Sequence, residues 1–200
     1  MPPDRPNTLE SPRRWMSTFI QLVVEPVALF LIIWLILGAF EVHSVSMEPN
    51  LHEGQRVLVL KDNNLWPTWI VGRAEAAPMH GTSPFAPRRG QVVVFYDSAD
   101  RSMPALIKRV IGTPGDTIEF RDGAVLVNGQ QISEPYVNGQ RTTCGRTCGP
   151  ITLGPNEYFF MGDNRSNSRD SRSFGPIPVD QIVGQVVVRY WPLDKITFSP

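Results

Sequence analysis

The sequence contains few cysteines, histidines and lysines, the residues that would indicate a metal-binding or nucleic-acid-binding protein. Its 200 residues include only two cysteines, three histidines and three lysines, and the formal net charge is +0. This balance excludes a bulk electrostatic attraction to nucleic acid, and no basic stripe of the kind that such surfaces need is present. Internal repeats and low-complexity tracts are absent as well. We therefore expect no nucleic-acid partner.

The two cysteines, Cys144 and Cys148, are separated by three residues. Two ligands alone do not make a zinc site, which normally has four protein ligands, and the nearest histidine, His80, is far away in the sequence. A small-loop disulfide is the favoured interpretation, and it requires an oxidising compartment. A pair of reduced surface thiols is the alternative. No ligand cluster indicates a metal or an organic cofactor, so we expect neither.

Proline and glycine, by contrast, are plentiful. The nineteen prolines and sixteen glycines are spread along the chain, which favours a β-rich domain with many turns over a helical bundle. Hydrophobic residues make up 42% of the chain, enough for a packed core. The length accommodates one domain with a short appendage.

Runs of β-branched and apolar residues predict strands at four places. These segments are residues 55–61, 91–96, 105–112 and 182–191. Residues 116–129 predict a hairpin, because Asp122-Gly123 suits the positive φ angles of a tight turn, and Asn128-Gly129 offers a second turn.

Residues 62–90 lack any clear period and predict a long loop or an inserted excursion. Three of its side chains, Trp66, Trp69 and Ile70, are apolar enough either to be packed or to touch a membrane surface. Packing is the favoured interpretation of the two.

One long apolar run, residues 19–40, stands near the N-terminus. It has about the length that a transmembrane helix needs at 1.5 Å per residue. Glu25 and Pro26 interrupt it near its start. A charge costs less there than at the bilayer centre, and a proline there fits a first helical turn or a kink.

A cleavable signal peptide is the alternative for this run, since arginines precede it and small residues lie near Ser44. The run is long for a signal core, however, and no A-x-A-like site follows it. We therefore predict a retained anchor. The positive-inside rule places Arg13 and Arg14 in the cytoplasm. The predicted division is a cytoplasmic tail (1–18), an anchor (19–40) and an extracytoplasmic domain (41–200), which agrees with a disulfide.

The segment ALIKRVIG, residues 105–112, contains one of the three lysines. In a strand, Lys108 and Arg109 point to opposite faces, so one of them shares an apolar face. On this fragment alone, an edge or half-exposed strand explains the pattern. The functional interpretation needs Lys108 desolvated, because burial lowers the pKa of a lysine and a neutral amine can accept a proton from a serine hydroxyl.

Two further stretches carry candidate chemistry. SVSMEPNL begins at Ser44, soon after the apolar run, and is either an ordinary polar exit or a nucleophile held near a membrane. MGDNRSNSRDSRSFGPIP, residues 161–178, has the composition of a surface loop rich in turn formers. Its side chains are also of the kind that orient a catalytic base.

Taken together in this order, these stretches resemble the bacterial type I signal peptidases, membrane-anchored Ser/Lys proteases that remove signal peptides from exported proteins. SVSMEPNL resembles the nucleophile motif, IKRVIGTPGD the motif of the lysine base, and GDNRSNSRDSRSFGPIP the most distinctive C-terminal motif. RGQVVVF, residues 89–95, resembles a further strand of the family. The resemblance covers roughly residues 20–192.

The resemblance implies a fold and a site. The fold is mostly β, with one N-terminal transmembrane helix followed by a catalytic domain of antiparallel sheets. The implied roles are Ser46 as nucleophile, Lys108 as general base, Ser44 as a helper of the Ser46 amide in binding the oxyanion, and Ser168 as a hydrogen-bond partner of the lysine amine. Supporting positions are an Asp170–Arg172 ion pair and the residues Asp163 and Asn164.

The resemblance also implies partners and a location. The substrates are preproteins that bear signal peptides, cut after small side chains as in Ala-x-Ala. The enzyme lies in the cytoplasmic (inner) membrane as a single-pass protein, with its catalytic domain on the outer side, and we expect a monomer. Three positions depart from the family pattern, which usually has glycine at Val45, threonine at Asn50 and proline at His43. The change at Val45 bears on the local backbone, and so on Ser44 as an oxyanion donor.

The distance along the chain makes physical sense of this arrangement. Ser46 lies six residues past Phe40, so an extended chain places it within roughly 20 Å of the predicted helix end. A signal peptide presents its cleavage site at the same boundary, because its apolar core lies in the bilayer.

Three other functions stay open at this point. A Ser-His-Asp protease would use the histidines, but His43 and His52 lie too close to Ser46 in sequence for any common triad layout. A non-catalytic, membrane-tethered β module would be indicated by a missing nucleophile or base, and both are present. A peptidase of the same family dedicated to one conjugation or secretion substrate is separated from a general one only by a panel of substrates.

Overall fold

The computed structural model describes residues 19–61, 86–98, 101, 103–146 and 148–200. Several predictions lie outside these ranges, namely the tail 1–18 with Arg13 and Arg14, and most of the loop 62–90 with Trp66, Trp69, Ile70 and His80. The chain divides into two compact units, Met1–Leu37 and Gly38–Pro200.

The described part of the N-terminal unit, residues 19–37, contains one continuous helical segment. A π-helical turn, Ile20–Val24, leads directly into an α-helix, Glu25–Ile36. Pro26 lies in the first turn of this α-helix, directly after the π-helical turn, so its missing N–H removes one backbone hydrogen bond from the continuous segment. Within the part of the chain that the structure describes, no helix combines the length and the apolar character needed to cross a membrane.

The helix ends earlier than the apolar run does. Leu37 already has extended backbone angles and begins strand β1, Leu37–Glu41, so the predicted anchor 19–40 is helical only to Ile36. A short apolar stretch suits a buried strand as well as a helix, so its composition does not place the boundary. Gly38 is tightly packed here, since a Cβ at this position would meet the Lys61 side chain at 2.8 Å.

The rest of the described chain is mostly strand, as predicted. After β1 come β2 (Arg56–Lys61), β3 (Val92–Phe95), β4 (Leu106–Gly112), β5 (Thr117–Arg121), β6 (Ala124–Val127), β7 (Gln130–Gln131), β8 (Ile151–Thr152), β9 (Glu157–Met161), β10 (Ile177–Pro178), β11 (Ile182–Trp191) and β12 (Thr197–Phe198). Short helical turns connect them at Val45–Met47, Pro135–Val137, Ser171–Phe174, Val179–Gln181 and Leu193–Lys195.

The strands form two sheets. The larger has the order β1-β2-β11-β3-β4-β9-β10, with β12 paired to β11, and the smaller has the order β7-β6-β5-β8. The pairs of β11 with β2 and β3, of β4 with β3 and β9, and of β5 with β6 are antiparallel. The predicted antiparallel β domain is therefore confirmed.

The local predictions within this domain are confirmed too. The four predicted strand segments correspond to β2, β3, β4 and β11. The hairpin joins β5 to β6 through Asp122 and Gly123, whose φ angles are 55° and 83°. Asn128 and Gly129 make the second turn with φ angles of 54° and 77°.

Strand β4 is interior, between β3 and β9, and is buried on both faces. The interpretation of residues 105–112 as an edge or half-exposed strand is therefore wrong. Ile107 packs in one hydrophobic cluster with Val57 and Val94, whereas Val110 packs in another with Phe95. Lys108 and Arg109, at 2% and 6% exposed, are thus both enclosed, one on each face.

Candidate active site

Ser46 lies in a short 3-10 turn, Val45–Met47, that follows β1 in the chain. Met47 and Leu51 anchor this turn in a hydrophobic cluster, and Ser46 itself is 5% exposed. Val45 has the negative φ of this helical turn and is not among the positive-φ residues. The backbone therefore does not require the glycine that the family usually has at this position.

Lys108 reaches the same place from β4, where it pairs in register with Val93. A 2.7 Å hydrogen bond joins its Nζ to Ser46 Oγ, and Nζ also donates to the Ile107 carbonyl at 3.0 Å. Burial lowers the pKa of Lys108 to about 8, and the charges of Asp170 and Asp163 oppose this shift. The amine is therefore neutral in about one molecule in ten at pH 7.

Ser44 lies at the start of the turn, and its Oγ is 3.0 Å from Ser46 Oγ. The Ser44 residue is exposed to solvent. The Ser46 amide belongs to the first turn of the 3-10 helix, whose N–H groups have no acceptor within the helix. One hydroxyl and one amide donor therefore lie next to Ser46 Oγ.

The predicted motif after β9 runs alongside this turn. The Asn164 amide donates to the Ser46 carbonyl at 3.0 Å, and its side chain donates to the Val45 carbonyl at 3.2 Å. A Cβ on Gly162 would overlap both Ser168 Oγ and the Ser46 carbonyl. Glycine at this position is therefore what lets the two segments approach so closely.

Asp170 and Arg172 form the ion pair that the sequence predicts, with 2.8 Å between Oδ2 and an NH2 nitrogen and side chains only 0% and 5% exposed. Asp170 also accepts from the Gly162 amide at 3.0 Å. Burial alone would raise the pKa of Asp170, but the hydrogen bonds and charge of Arg172 hold it below its ordinary value. A buried negative charge is thereby kept near Lys108.

Ser168 is near the pair but does not make the expected hydrogen bond to the lysine amine. Its Oγ is buried and has no well-aligned partner among the described residues, although it is close enough to Asp170 to lower the pKa of that carboxyl. The Lys108 amine instead uses Ser46 and the Ile107 carbonyl. The role that the resemblance implies for Ser168 is therefore not seen in this structure.

A second buried ion pair, missed by the sequence reasoning, lies on the other face of β4. Arg109 donates to Asp163 through Nε at 2.8 Å and through NH2 at 2.7 Å, with side chains 7% and 0% exposed. Asn50 donates to Asp163 at 2.9 Å. The signal for Arg109 was present in the sequence, since a charged residue on each face of an apolar strand requires a partner on each face.

Further polar contacts join the connection between β7 and β8 to these residues. Arg165 donates to Glu134 at 2.5 Å and 3.1 Å and to Thr142 at 2.5 Å. The backbone carbonyl of Tyr136 accepts a hydrogen bond from Asn50 at 2.7 Å. The Tyr136 ring lies against the Arg109 guanidinium. A local sequence pattern cannot predict these contacts, because the partners are at least 23 residues apart in sequence.

The remaining candidates take no part in the hydrogen bonds of the Ser46–Lys108 pair. His52 is bonded to Glu48 at an exposed position, and among the described residues no histidine hydrogen-bonds Ser46. Cys144 and Cys148 are joined by a disulfide, as the favoured interpretation has it. In the described part of the chain, no group of three His, Cys, Asp or Glu side chains is arranged to hold a metal ion.

Comparisons with known proteins identify the family of the chain. A family model described as signal peptidase, peptidase S26, matches residues 13–191. A signal peptidase I of Bacillus caldolyticus is 33% identical over 94% of this chain and 94% of its own. A signal peptidase IB of Staphylococcus aureus is 31% identical over 92% and 95%. A signal peptidase I of Leptolyngbya laminosa is 38% identical over 55% of this chain and 56% of its own.

Among solved structures, a signal peptidase I from Enterococcus faecalis is 30% identical and covers 50% of this chain and 97% of its own, with a TM-score of 0.44. The sequence matches carry the assignment, because the family model spans most of the chain and includes all three motif stretches. The chain belongs to the signal peptidase family of serine endopeptidases, peptidase S26.

Proposed function

We propose that this protein removes N-terminal signal peptides from exported preproteins, with Ser46 as nucleophile and neutral Lys108 as general base. The observation that carries the proposal is the buried 2.7 Å hydrogen bond between Ser46 Oγ and Lys108 Nζ. A lysine whose pKa is lowered to about 8 can take the serine proton near neutral pH.

The chemistry follows the Ser-Lys variant of acyl transfer. Ser46 Oγ attacks the scissile carbonyl while its proton moves to Lys108 Nζ. The Ser46 amide and Ser44 Oγ stabilise the oxyanion that forms. Lys108 then gives the proton to the leaving amine, and a water attacks the acyl-enzyme with Lys108 again as base. The reaction needs no metal or organic cofactor.

The other predicted residues hold this pair in place. Asn164 fixes the Ser46 carbonyl, and the Asp170–Arg172 pair fixes Gly162 behind it. Ser168 orients the amine after its hydroxyl turns toward Lys108. Since Ser46 and Lys108 come from one chain, the site is complete in a monomer.

We propose further that the helical residues 20–36 anchor the enzyme in the cytoplasmic membrane, with the catalytic domain outside and Arg13 and Arg14 inside. The supporting feature is a helix that is apolar all round, with Leu22, Phe30 and Trp34 at least 65% exposed. Helical residues 20–36 span about 25 Å at 1.5 Å per residue, against a hydrocarbon core of about 30 Å. Local thinning of the bilayer accommodates such a difference.

The position of the site suits a membrane-anchored substrate. Ser46 follows Ile36 by ten residues, so an extended chain limits their separation to about 36 Å. A signal peptide whose apolar core lies in the same bilayer presents its cleavage site at a comparable distance. The proposed substrates are therefore preproteins cut after a small residue near the outer boundary.

The test uses the full chain in detergent with a purified secretory precursor. Wild type is compared with Ser46→Ala and with Ser173→Ala, a matched control at an exposed serine, and the N-terminus of any product is sequenced. A cut after a small residue, lost only in Ser46→Ala, supports the proposal. Absence of a cut by folded wild type contradicts the general peptidase function, and a cut by Ser46→Ala means that another serine is the nucleophile.

A further inference from the structure

Tyr136 lies outside all three motif stretches, in the short turn Pro135–Val137 between β7 and β8. It nevertheless contacts residues from three other segments of the chain, Arg109, Arg165 and Asn50. Its ring lies 4.3 Å from the guanidinium carbon of Arg109, and Arg165 lies 6.0 Å away. Its backbone carbonyl accepts from Asn50 at 2.7 Å.

These contacts close a ring of four residues. Tyr136 binds Asn50 through its carbonyl, Asn50 donates to Asp163, Asp163 accepts two hydrogen bonds from Arg109, and Arg109 stacks on Tyr136. Both side-chain N–H groups of Asn50 are used, and Asp163 is 0% exposed. Closed networks of this kind are rigid when every member is satisfied.

Each of the other three residues lies close in sequence to Ser46, to Lys108 or to a residue that binds the Ser46 backbone. Arg109 follows Lys108 directly in β4. Asp163 precedes Asn164, whose amide holds the Ser46 carbonyl. Asn50 follows the turn that contains Ser46, and its backbone amide donates to the Met47 carbonyl at 3.0 Å. The ring therefore connects the segment of the nucleophile to the strand of the base.

The stack with Tyr136 supplies a restraint that the hydrogen bonds of Arg109 do not. A guanidinium is planar and its N–H groups all point within that plane. Those of Arg109 reach Asp163, the Gly90 carbonyl at 2.7 Å and the Pro200 carbonyl at 3.4 Å. Hydrogen bonds at the edges leave the tilt of the plane weakly fixed, whereas a ring against its face fixes that tilt.

We infer that Tyr136 is a positioning residue, whose ring holds the plane of Arg109 and thereby, through Asp163 and Asn50, the distance between Ser46 Oγ and Lys108 Nζ. This inference rests on the function proposed above. The phenol hydroxyl of Tyr136 contributes less than the ring to this positioning. It donates to Glu134 at 3.2 Å, and burial followed by the Glu134 charge raises the pKa of Tyr136, so the hydroxyl stays neutral.

The test compares Tyr136→Leu, which removes the aromatic face, with the matched variant Tyr136→Phe, which keeps it. Both keep the backbone carbonyl that binds Asn50. We expect kcat of Tyr136→Leu to fall about 100-fold, the effect of a displacement of about 1 Å in a reacting pair, with KM within threefold of wild type. Tyr136→Phe retains kcat within threefold. A purely structural role would lower stability and leave kcat of the folded molecules unchanged.

A second readout does not depend on proteolysis. The chain has three lysines, so a sample labelled with 13C at lysine Cε gives three signals, and Lys108→Met identifies that of Lys108. In Tyr136→Leu the Arg109 charge no longer offsets Asp163 as closely, so the pKa of Lys108 rises, while in Tyr136→Phe it stays at the wild-type value. If wild type cleaves no precursor, the proposed function fails and this titration alone decides the role of Tyr136.

Two results overturn the inference. One is a folded Tyr136→Leu protein whose kcat equals that of wild type. If wild type is inactive, the corresponding result is a pKa of Lys108 that does not change in Tyr136→Leu. The other is a Tyr136→Phe protein as impaired as Tyr136→Leu, since the hydroxyl would then carry the effect. If Tyr136→Leu does not fold, a fluorinated phenylalanine at position 136 keeps the shape of the ring and weakens its attraction for a cation. Its kcat must then fall relative to Tyr136→Phe, and an equal kcat refutes the role.

Discussion

Replacement of Lys108 by methionine separates what the lysine does for catalysis from what it costs the fold. Lys108 is 2% exposed, and burial lowers its pKa from 10.5 to about 8. At about 1.4 kcal/mol per pKa unit, the fold disfavours the charged amine by roughly 3 kcal/mol. Methionine has a similar length and no charge. We expect Lys108→Met to lose proteolysis and, at pH 7, to be more stable than wild type by about 1–3 kcal/mol, allowing for the lost hydrogen bonds.

The stability difference must also change with pH in one direction. The folded pKa of Lys108, about 8, lies below the unfolded value of 10.5. Between these values the unfolded chain binds more protons than the folded chain, so wild-type stability rises with pH. Below about pH 8 both states are protonated and the cost is constant. The advantage of Lys108→Met is therefore full at pH 7 and is lost as pH approaches 10.5.

Urea unfolding, followed by tryptophan fluorescence at pH 7 and pH 10, measures this difference. The control is Lys195→Met, a replacement of an exposed lysine, whose stability relative to wild type should hardly change between the two pH values. The reasoning is refuted if Lys108→Met is several kcal/mol less stable than wild type at pH 7. It is also refuted if a gain at pH 7 persists unchanged at pH 10, because burial of the charge would then not be its source.

Two substitutions near the pair have equally definite outcomes. Asp170→Asn removes a negative charge that raises the pKa of Lys108, so the pH–rate profile should move to lower pH, and a move to higher pH would contradict this account. It also leaves Arg172 buried without its partner, which costs about 3–5 kcal/mol in urea unfolding. Gly162→Ala should lower kcat about 100-fold, because the new Cβ overlaps the carbonyl of the nucleophile. Gly149→Ala, where a Cβ meets nothing within 4 Å, is the matched control, and equal activity of the two variants would count against this packing.

Local features of the fold could be predicted because their causes are local. Asp122-Gly123 and Asn128-Gly129 adopt the positive φ angles for which these residue types are suited. The run 182–191 of β-branched residues became strand β11 over the whole predicted range. The end of the helix at Ile36 could not be predicted, because pairing of β1 with β2 decides it and apolar composition permits either structure.

The candidate site divides in the same way. The motifs put Ser46 and Lys108 forward, but their 2.7 Å contact requires a fold that joins positions 62 residues apart. The burial of both Lys108 and Arg109 follows from the central place of β4 in its sheet, which the fragment itself does not reveal. The contact of Tyr136 with Arg109 is likewise a product of topology, since Tyr136 lies in the connection between β7 and β8 of the smaller sheet and Arg109 lies in β4 of the larger.

The most direct test of the central claim, that neutral Lys108 is the base for Ser46, is the pH dependence of kcat/KM for wild type from pH 5.5 to 9.5. Proteolysis should rise about tenfold per pH unit in acid and level off above about pH 8, where the amine is neutral. A profile that levels off near pH 6.5, the ordinary pKa of histidine, or one that is flat over the whole range, would contradict the claim.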